Sequence, residues 1–103
     1  MSPMCLVRTL SSLGPEASFD FGEVEIAAGR KIASIDVSEK LPGGVLGALF
    51  SDVGSGALPY SYELSSPCSI VVHAPLYVIR DGKIVKRDFP AIAQWLAVGK
   101  NKA

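Results

Sequence analysis

Cys68-Ser-Ile-Val-Val-His-Ala-Pro-Leu-Tyr-Val-Ile79, Arg80-Asp-Gly-Lys83 and Ile84-Val-Lys-Arg87 follow one another without a gap. The first run is rich in the branched and aromatic residues that suit a pleated, buried surface. Asp81-Gly82 is a preferred centre for a tight type I′ turn, and Ile84–Arg87 is the returning strand. A two-residue turn sets Ile79 opposite Ile84 and Val78 opposite Val85. It also sets Tyr77 against Lys86, with Arg80 and Lys83 opposed at the tip. Beyond the return strand, Pro90 suits the first position of a helix, where its missing N–H is not needed. Asp88 stands ahead of that helix at its positive end, and Gly99 closes it. Ile92, Trp95, Leu96 and Val98 form its apolar side at helical spacing.

Upstream, Met4–Leu10 reads as a strand and Ser11–Pro15 as loop chemistry. From Phe19 the alternation changes phase: Phe19 and Phe21 have one parity, Val24 and Ile26 the other. A bulge at Gly22 would reconcile them, because a one-residue slip exchanges the faces of a strand. Ala27-Ala-Gly29 turns the chain and Arg30–Val37 returns, with Ala33, Ile35 and Val37 on one face, giving a second hairpin. Leu41–Phe50 is ambiguous. Val45, Leu46, Leu49 and Phe50 fit helical spacing after Pro42, but Gly43, Gly44 and Gly47 restrict any helix to one or two turns. Leu58–Leu64 is a further strand with Tyr60 and Tyr62 on one face, and Ser65-Ser-Pro67 turns into the main hairpin. The expected fold is α+β, mainly antiparallel: about six strands in hairpins, a short C-terminal helix, and a short helix near 42–51. The core is expected at Val7, Phe21, Val24, Ile35, Val37, Leu49, Ile70, Val72, Val78, Ile84, Val85, Ile92, Trp95 and Leu96.

With 103 residues the chain is expected to be a single domain, 1–103. Hydrophobic residues reach 49% while charged residues are only 19%, against about 25% in ordinary domains. A small domain has proportionally more surface, so this shortage of charge implies a surface that faces another protein. Charge is also unevenly distributed. Residues 1–52 carry four bases and seven acids, a net of −3; residues 53–103 carry six bases and three acids, a net of +3. Such halves can associate head to tail between copies. Nothing resembles a signal peptide or a membrane-spanning run, and Cys5 and Cys68 are too few for a disulfide framework. The expected setting is cytoplasmic, or assembly in a cytosol as for a virion component.

His73 is the one histidine, and Cys68 lies five residues away. On a regular strand that separation puts the two on opposite faces, and no third ligand has zinc-like spacing. Neither a metal nor a cofactor is expected. No serine occupies a Gly-x-Ser-x-Gly elbow, and the glycines at 43–47 and 54–56 lack the Gly-Lys-Ser/Thr of a phosphate loop. Asp20-Phe21-Gly22 has the letters of a kinase magnesium motif in a chain far too short for a kinase. Glu23 and Glu25 read as the solvent side of a half-buried strand. An enzyme is not expected.

Ala74-Pro75 ahead of a strand, then Asp-Gly, a second strand and a terminal helix, resembles the closing ββα unit of thioredoxin-like domains. The resemblance covers about the last 30 residues. The preceding βαβ half and any Cys-x-x-Cys are missing, so no activity is implied. The expected function is a non-enzymatic subunit or interaction protein that self-associates or sits in a larger assembly, with Val45, Leu46, Leu49 and Phe50 as its interface. The alternative is a small OB-like module for single-stranded nucleic acid. It would use Arg80, Lys83, Lys86 and Arg87 as a basic ribbon and Tyr60, Tyr62 and Tyr77 as stacking platforms.

Overall fold

The computed structural model describes residues 17–54 and 58–102. They form eight strands: β1 (Ala17–Ile26), β2 (Ile32–Asp36), β3 (Val45–Asp52), β4 (Ser61–Ser66), β5 (Ser69–His73), β6 (Tyr77–Arg80), β7 (Lys83–Lys86) and β8 (Ala91–Lys100). Sheet A has the order β1-β8-β3 and sheet B the order β2-β5-β4, while β6 and β7 pair only with each other. Every pairing is antiparallel. Inward side chains of both large sheets meet in one core containing Ile26, Val45, Ala48, Ala91 and Ala97 from sheet A. Sheet B contributes Ile35, Ile70 and Val72, and the connections add Val37, Leu41, Leu58 and Ala74.

The fold is therefore all-β, and the α+β expectation is overturned: no helix occurs among the described residues. The C-terminal helix is replaced by β8, the central strand of sheet A, paired along both edges. Between Ala91 and Val98 the strand is apolar at both parities except at Gln94, which imitates helical spacing. In β8 the inward positions Ala91, Ala93 and Ala97 are small and buried. Their strong helix propensity yields to two ladders of main-chain hydrogen bonds. The short helix near 42–51 is likewise a strand, β3, which has an irregularity between Val45 and Gly47. Gly99 is not a helix cap but a point of close approach. A Cβ there would stand 2.1 Å from the Gly44 carbonyl oxygen, which accepts a bond from the Lys100 N–H at 3.0 Å.

The hairpin register is as expected, with Val78 opposite Val85 and Ile79 opposite Ile84. Asp81 and Gly82 both have positive φ, 53° and 75°, as a type I′ turn demands. The apolar run before it is two strands rather than one. Ala74-Pro75-Leu76 ends β5 in sheet B and starts β6 in the separate hairpin. With β8 in place of a helix, the likeness to a thioredoxin-like ββα unit is lost.

The expected bulge at Gly22 is absent, because β1 pairs with β8 in unbroken register from Ala17–Lys100 to Ile26–Ala91. Gly22 lies opposite Trp95 and its bare α-carbon leaves room for the indole. The turn at 27–30 forms, with the Arg30 N–H bonded to the Ala27 carbonyl at 3.0 Å. It does not close a hairpin: β1 stays in sheet A while β2 crosses to sheet B. Of the expected core, Ile35, Val37, Ile70 and Val72 are buried, and Val24, Val78 and Trp95 pack partly against them. Phe21 and Ile84 are 69% and 77% exposed, and Leu96 is also at the surface. Val7, Cys5 and the Met4–Leu10 strand lie outside the described residues.

Among the described residues, one charged side chain is buried. Arg87 is 1% exposed. Its Nε donates to the Pro75 carbonyl at 2.9 Å, and Nη1 donates to the carbonyls of Ile26 and Phe89. Nη2 donates to the carbonyl of Arg30. The guanidinium thus joins the β1–β2 turn, the β5–β6 link and the chain beyond β7 at one point. Arg87→Met should destabilise the protein by about 3 kcal/mol or more, since it strands several buried acceptors. Arg87→Lys should recover little of this, as one compact ammonium cannot span the same carbonyls. Urea unfolding followed by Trp95 fluorescence measures both, and a loss below about 1 kcal/mol would show that the clamp contributes little.

Candidate functional site

In an antiparallel ladder, residues directly opposite share a face. The register therefore assembles the outer face of sheet A in rows. Phe19 stands beside Val98 and Gly47; Phe21 beside Leu96 and Leu49; Glu23 beside Gln94 and Ser51; Glu25 beside Ile92. Phe19 is 52% exposed, and its ring centroid lies 6.3 Å from that of Phe21. Leu46, at the irregular start of β3, is exposed as well. The face is apolar at one end and acidic at the next two rows. Neither Glu23 nor Glu25 forms an ion pair with a described residue.

The outer face of sheet B differs. Its rows hold Ile32–His73–Ser61, Ser34–Val71–Glu63 and Asp36–Ser69–Ser66. Here His73 Nε2 meets Glu63 Oε1 at 3.0 Å. A hydrogen bond from Ser38 holds the exposed Asp36 carboxyl below its ordinary value. This face is mixed, its polar side chains interrupted by exposed Ile32 and by Val71.

The hairpin also has two unlike sides. Val78 and Val85 are half-buried toward the core, and on that side Arg80 makes a two-pronged pair with Asp88 at 3.0 and 3.1 Å. The pair holds the Asp88 carboxyl below its usual value and raises the Arg80 guanidinium further. The other side carries Tyr77 and Lys86 in one row and Ile79 and Ile84 in the next. Ile79 and Ile84 are 78% and 77% exposed, and Tyr77 is exposed too.

The residues singled out from the sequence are thereby divided. Of the expected interface, Leu46 and Leu49 belong to the outer face of sheet A. Val45 is buried in the core, and Phe50 turns inward to Tyr62, with ring centroids 5.7 Å apart. Of the proposed nucleic-acid contacts, Arg87 is sealed in the interior and Arg80 is engaged by Asp88. Tyr62 packs on Phe50, and Tyr60 Oη donates to Asp52 Oδ1 at 2.8 Å. Lys83 and Lys86 are exposed but lie on opposite sides of the hairpin. The sheets are two separate open arrays, which departs from an OB-like barrel.

His73 and Cys68 do not meet. The Cys68 thiol donates to the Leu41 carbonyl at 3.3 Å, while His73 faces Glu63. Among the described residues no three His, Cys, Asp or Glu side chains gather as metal ligands. Likewise, no helix there is long and apolar enough to cross a membrane. No family model matches this chain, and neither a curated protein nor a solved structure does.

Phe21, Ile84 and Leu96 are expected in the core and lie at the surface, and Phe19 lies beside Phe21. Phe19 and Phe21 lie on β1, where the alternation decides the face. Their signal was present: they share parity with Glu23 and Glu25, so an unbroken strand that exposes the acids exposes the phenyl rings as well.

Tyr60 offers a direct test of the interior. Burial first, then its bond to Asp52, raises the phenol above its ordinary value of 10.0. The neutral form is thus favoured in the folded state. The resulting stability should be complete below about pH 10 and should fall as pH rises through the higher folded-state value. Tyr60→Phe should melt lower at neutral pH, by about 1 kcal/mol for the lost hydrogen bond. Its decline between about pH 9.5 and 11.5 should be shallower than that of the wild type. Parallel curves in thermal melts across that range would show that the phenol does not carry the alkaline loss.

Proposed function

We propose that this protein is a non-enzymatic structural or interaction subunit that self-associates, and that the outer face of sheet A is a contact surface. The observation that carries this reading is the row Phe21–Leu96–Leu49 beside exposed Phe19, contiguous apolar side chains on the outer face of sheet A. Isolated apolar side chains at a surface need no explanation, but contiguous ones mark interaction sites. The small share of charged residues, 19%, supports the same reading. A cytosolic setting, including assembly in a cytosol as for a virion component, is consistent with the free thiol of Cys68.

The nucleic-acid alternative receives less support. Its basic ribbon needs four exposed cations in line, and Arg87 and Arg80 are otherwise employed. The expected result is a discrete or growing multimer in light scattering behind size exclusion, across a wide concentration range and at two salt levels. Phe21→Asp, at a site already open to water, should shift the species to monomer with unchanged folding. A wild-type protein that remains monomeric at every concentration would overturn self-association.

A further inference from the structure

We infer that self-association is head to tail: the Tyr77/Ile79/Ile84 side of the hairpin of one copy lies on the outer face of sheet A of the next. This rests on the self-association proposed above and names the second surface. Among the described residues, two surfaces carry exposed apolar side chains in neighbouring rows, and the charges in their rows are opposite. The hairpin rows carry Lys86, with Asp81 at the turn; the sheet face carries Glu23 and Glu25 beside its apolar rows.

The spacing also agrees. Lys86 follows Ile84 by two residues on the same face, and Glu23 follows Phe21 by two residues on its own. With a rise of about 3.3 Å per residue, each charge stands about 6.6 Å from its apolar row. Seating Ile79 and Ile84 over Phe21 and Leu96 therefore brings Lys86 to Glu23. A symmetric pairing of two sheet A faces would cover only one of the two patches and leave the hairpin isoleucines in water. The head-to-tail contact covers both. Because each copy keeps one unused surface of each kind, such a contact closes into rings or grows into filaments instead of stopping at two.

The test uses two variants of the full chain, each altered at exposed positions: Phe21→Asp on the sheet face, and the double variant Ile79→Asp with Ile84→Asp on the hairpin. Each alone should be monomeric, its affinity for itself lowered by about tenfold or more. An equal mixture retains one intact surface of each kind, and should give a one-to-one complex that stops at two chains. Lys86→Glu should weaken the wild-type assembly in low salt, and adding Glu23→Lys to the same chain should restore it. Trp95 fluorescence and the far-ultraviolet spectrum verify that each variant is folded. If wild type associates and the hairpin variant associates equally well, the head-to-tail contact is wrong while self-association stands. The same holds if the multimer is a closed dimer abolished by Phe21→Asp alone. If wild type does not associate at any concentration, the parent reading fails with it.

Discussion

A guanidinium sealed among main-chain carbonyls holds this fold together. Burying a cation is unfavourable unless its donors are met, and Arg87 meets them with the carbonyls of Ile26, Arg30, Pro75 and Phe89. Those four residues come from segments far apart in the chain. Ile26 ends β1, Arg30 precedes β2, Pro75 lies between β5 and β6, and Phe89 precedes β8. The planar fork of arginine suits such a site because it directs its donors at fixed angles. Two main-chain bonds reinforce the same junction, Arg87 N–H to the Leu76 carbonyl at 2.7 Å and Gly29 N–H to the Arg87 carbonyl at 3.2 Å. The corner where the chain passes from one sheet to the other is therefore fixed by a side chain at the foot of the hairpin.

The consequence for the hairpin is geometric. A two-stranded ribbon is marginal by itself in water. This one is anchored at its base by Arg87 and along its inner side by Val78 and by the Arg80–Asp88 pair. With the inner side so committed, strand alternation leaves Tyr77, Ile79 and Ile84 pointing away. Their exposure follows from the same pleat that buries Val78. It is not a failure of packing.

Much of the hairpin was legible in the sequence because its determinants are local. Asp81-Gly82 specifies both the turn and the register, and no distant contact is needed to derive either. The strand β8 was not legible for the opposite reason. Ala91, Ile92, Ala93, Trp95, Leu96, Ala97 and Val98 satisfy a helix as well as a strand, and the choice is made by β1 and β3, whose partners lie 41 residues away or more. Arg87 was read as part of a basic ribbon since its neighbours are cations; only the convergence of four carbonyls from remote segments marks it as interior. On β1 hydrophobicity alone points Phe21 and Val24 to the same face, which only a bulge would allow. The uninterrupted register shows that the glutamates determined the outward face.

The shortage of charge in the sequence can now be placed. It is not spread evenly over the surface. Sheet B presents Glu63, His73, Asp36 and serines to water, with Ile32 and Leu64 as its exposed apolar side chains. The outer face of sheet A and one side of the hairpin carry exposed apolar side chains in neighbouring rows, with Glu23 and Glu25 beside the first and Lys86 beside the second. Random leanness would not divide in this way, nor would it give the two patches opposite signs. Exposed flat strands also invite indiscriminate edge pairing, which proteins restrain with charges near the edge. Glu23 and Glu25 on the edge strand β1, and Lys83 and Lys86 on β7, place charge on these strands. Like charges oppose sheet on sheet and hairpin on hairpin, whereas opposite charges draw hairpin to sheet. The arrangement that limits aggregation is thus the one that would specify a polar, head-to-tail assembly.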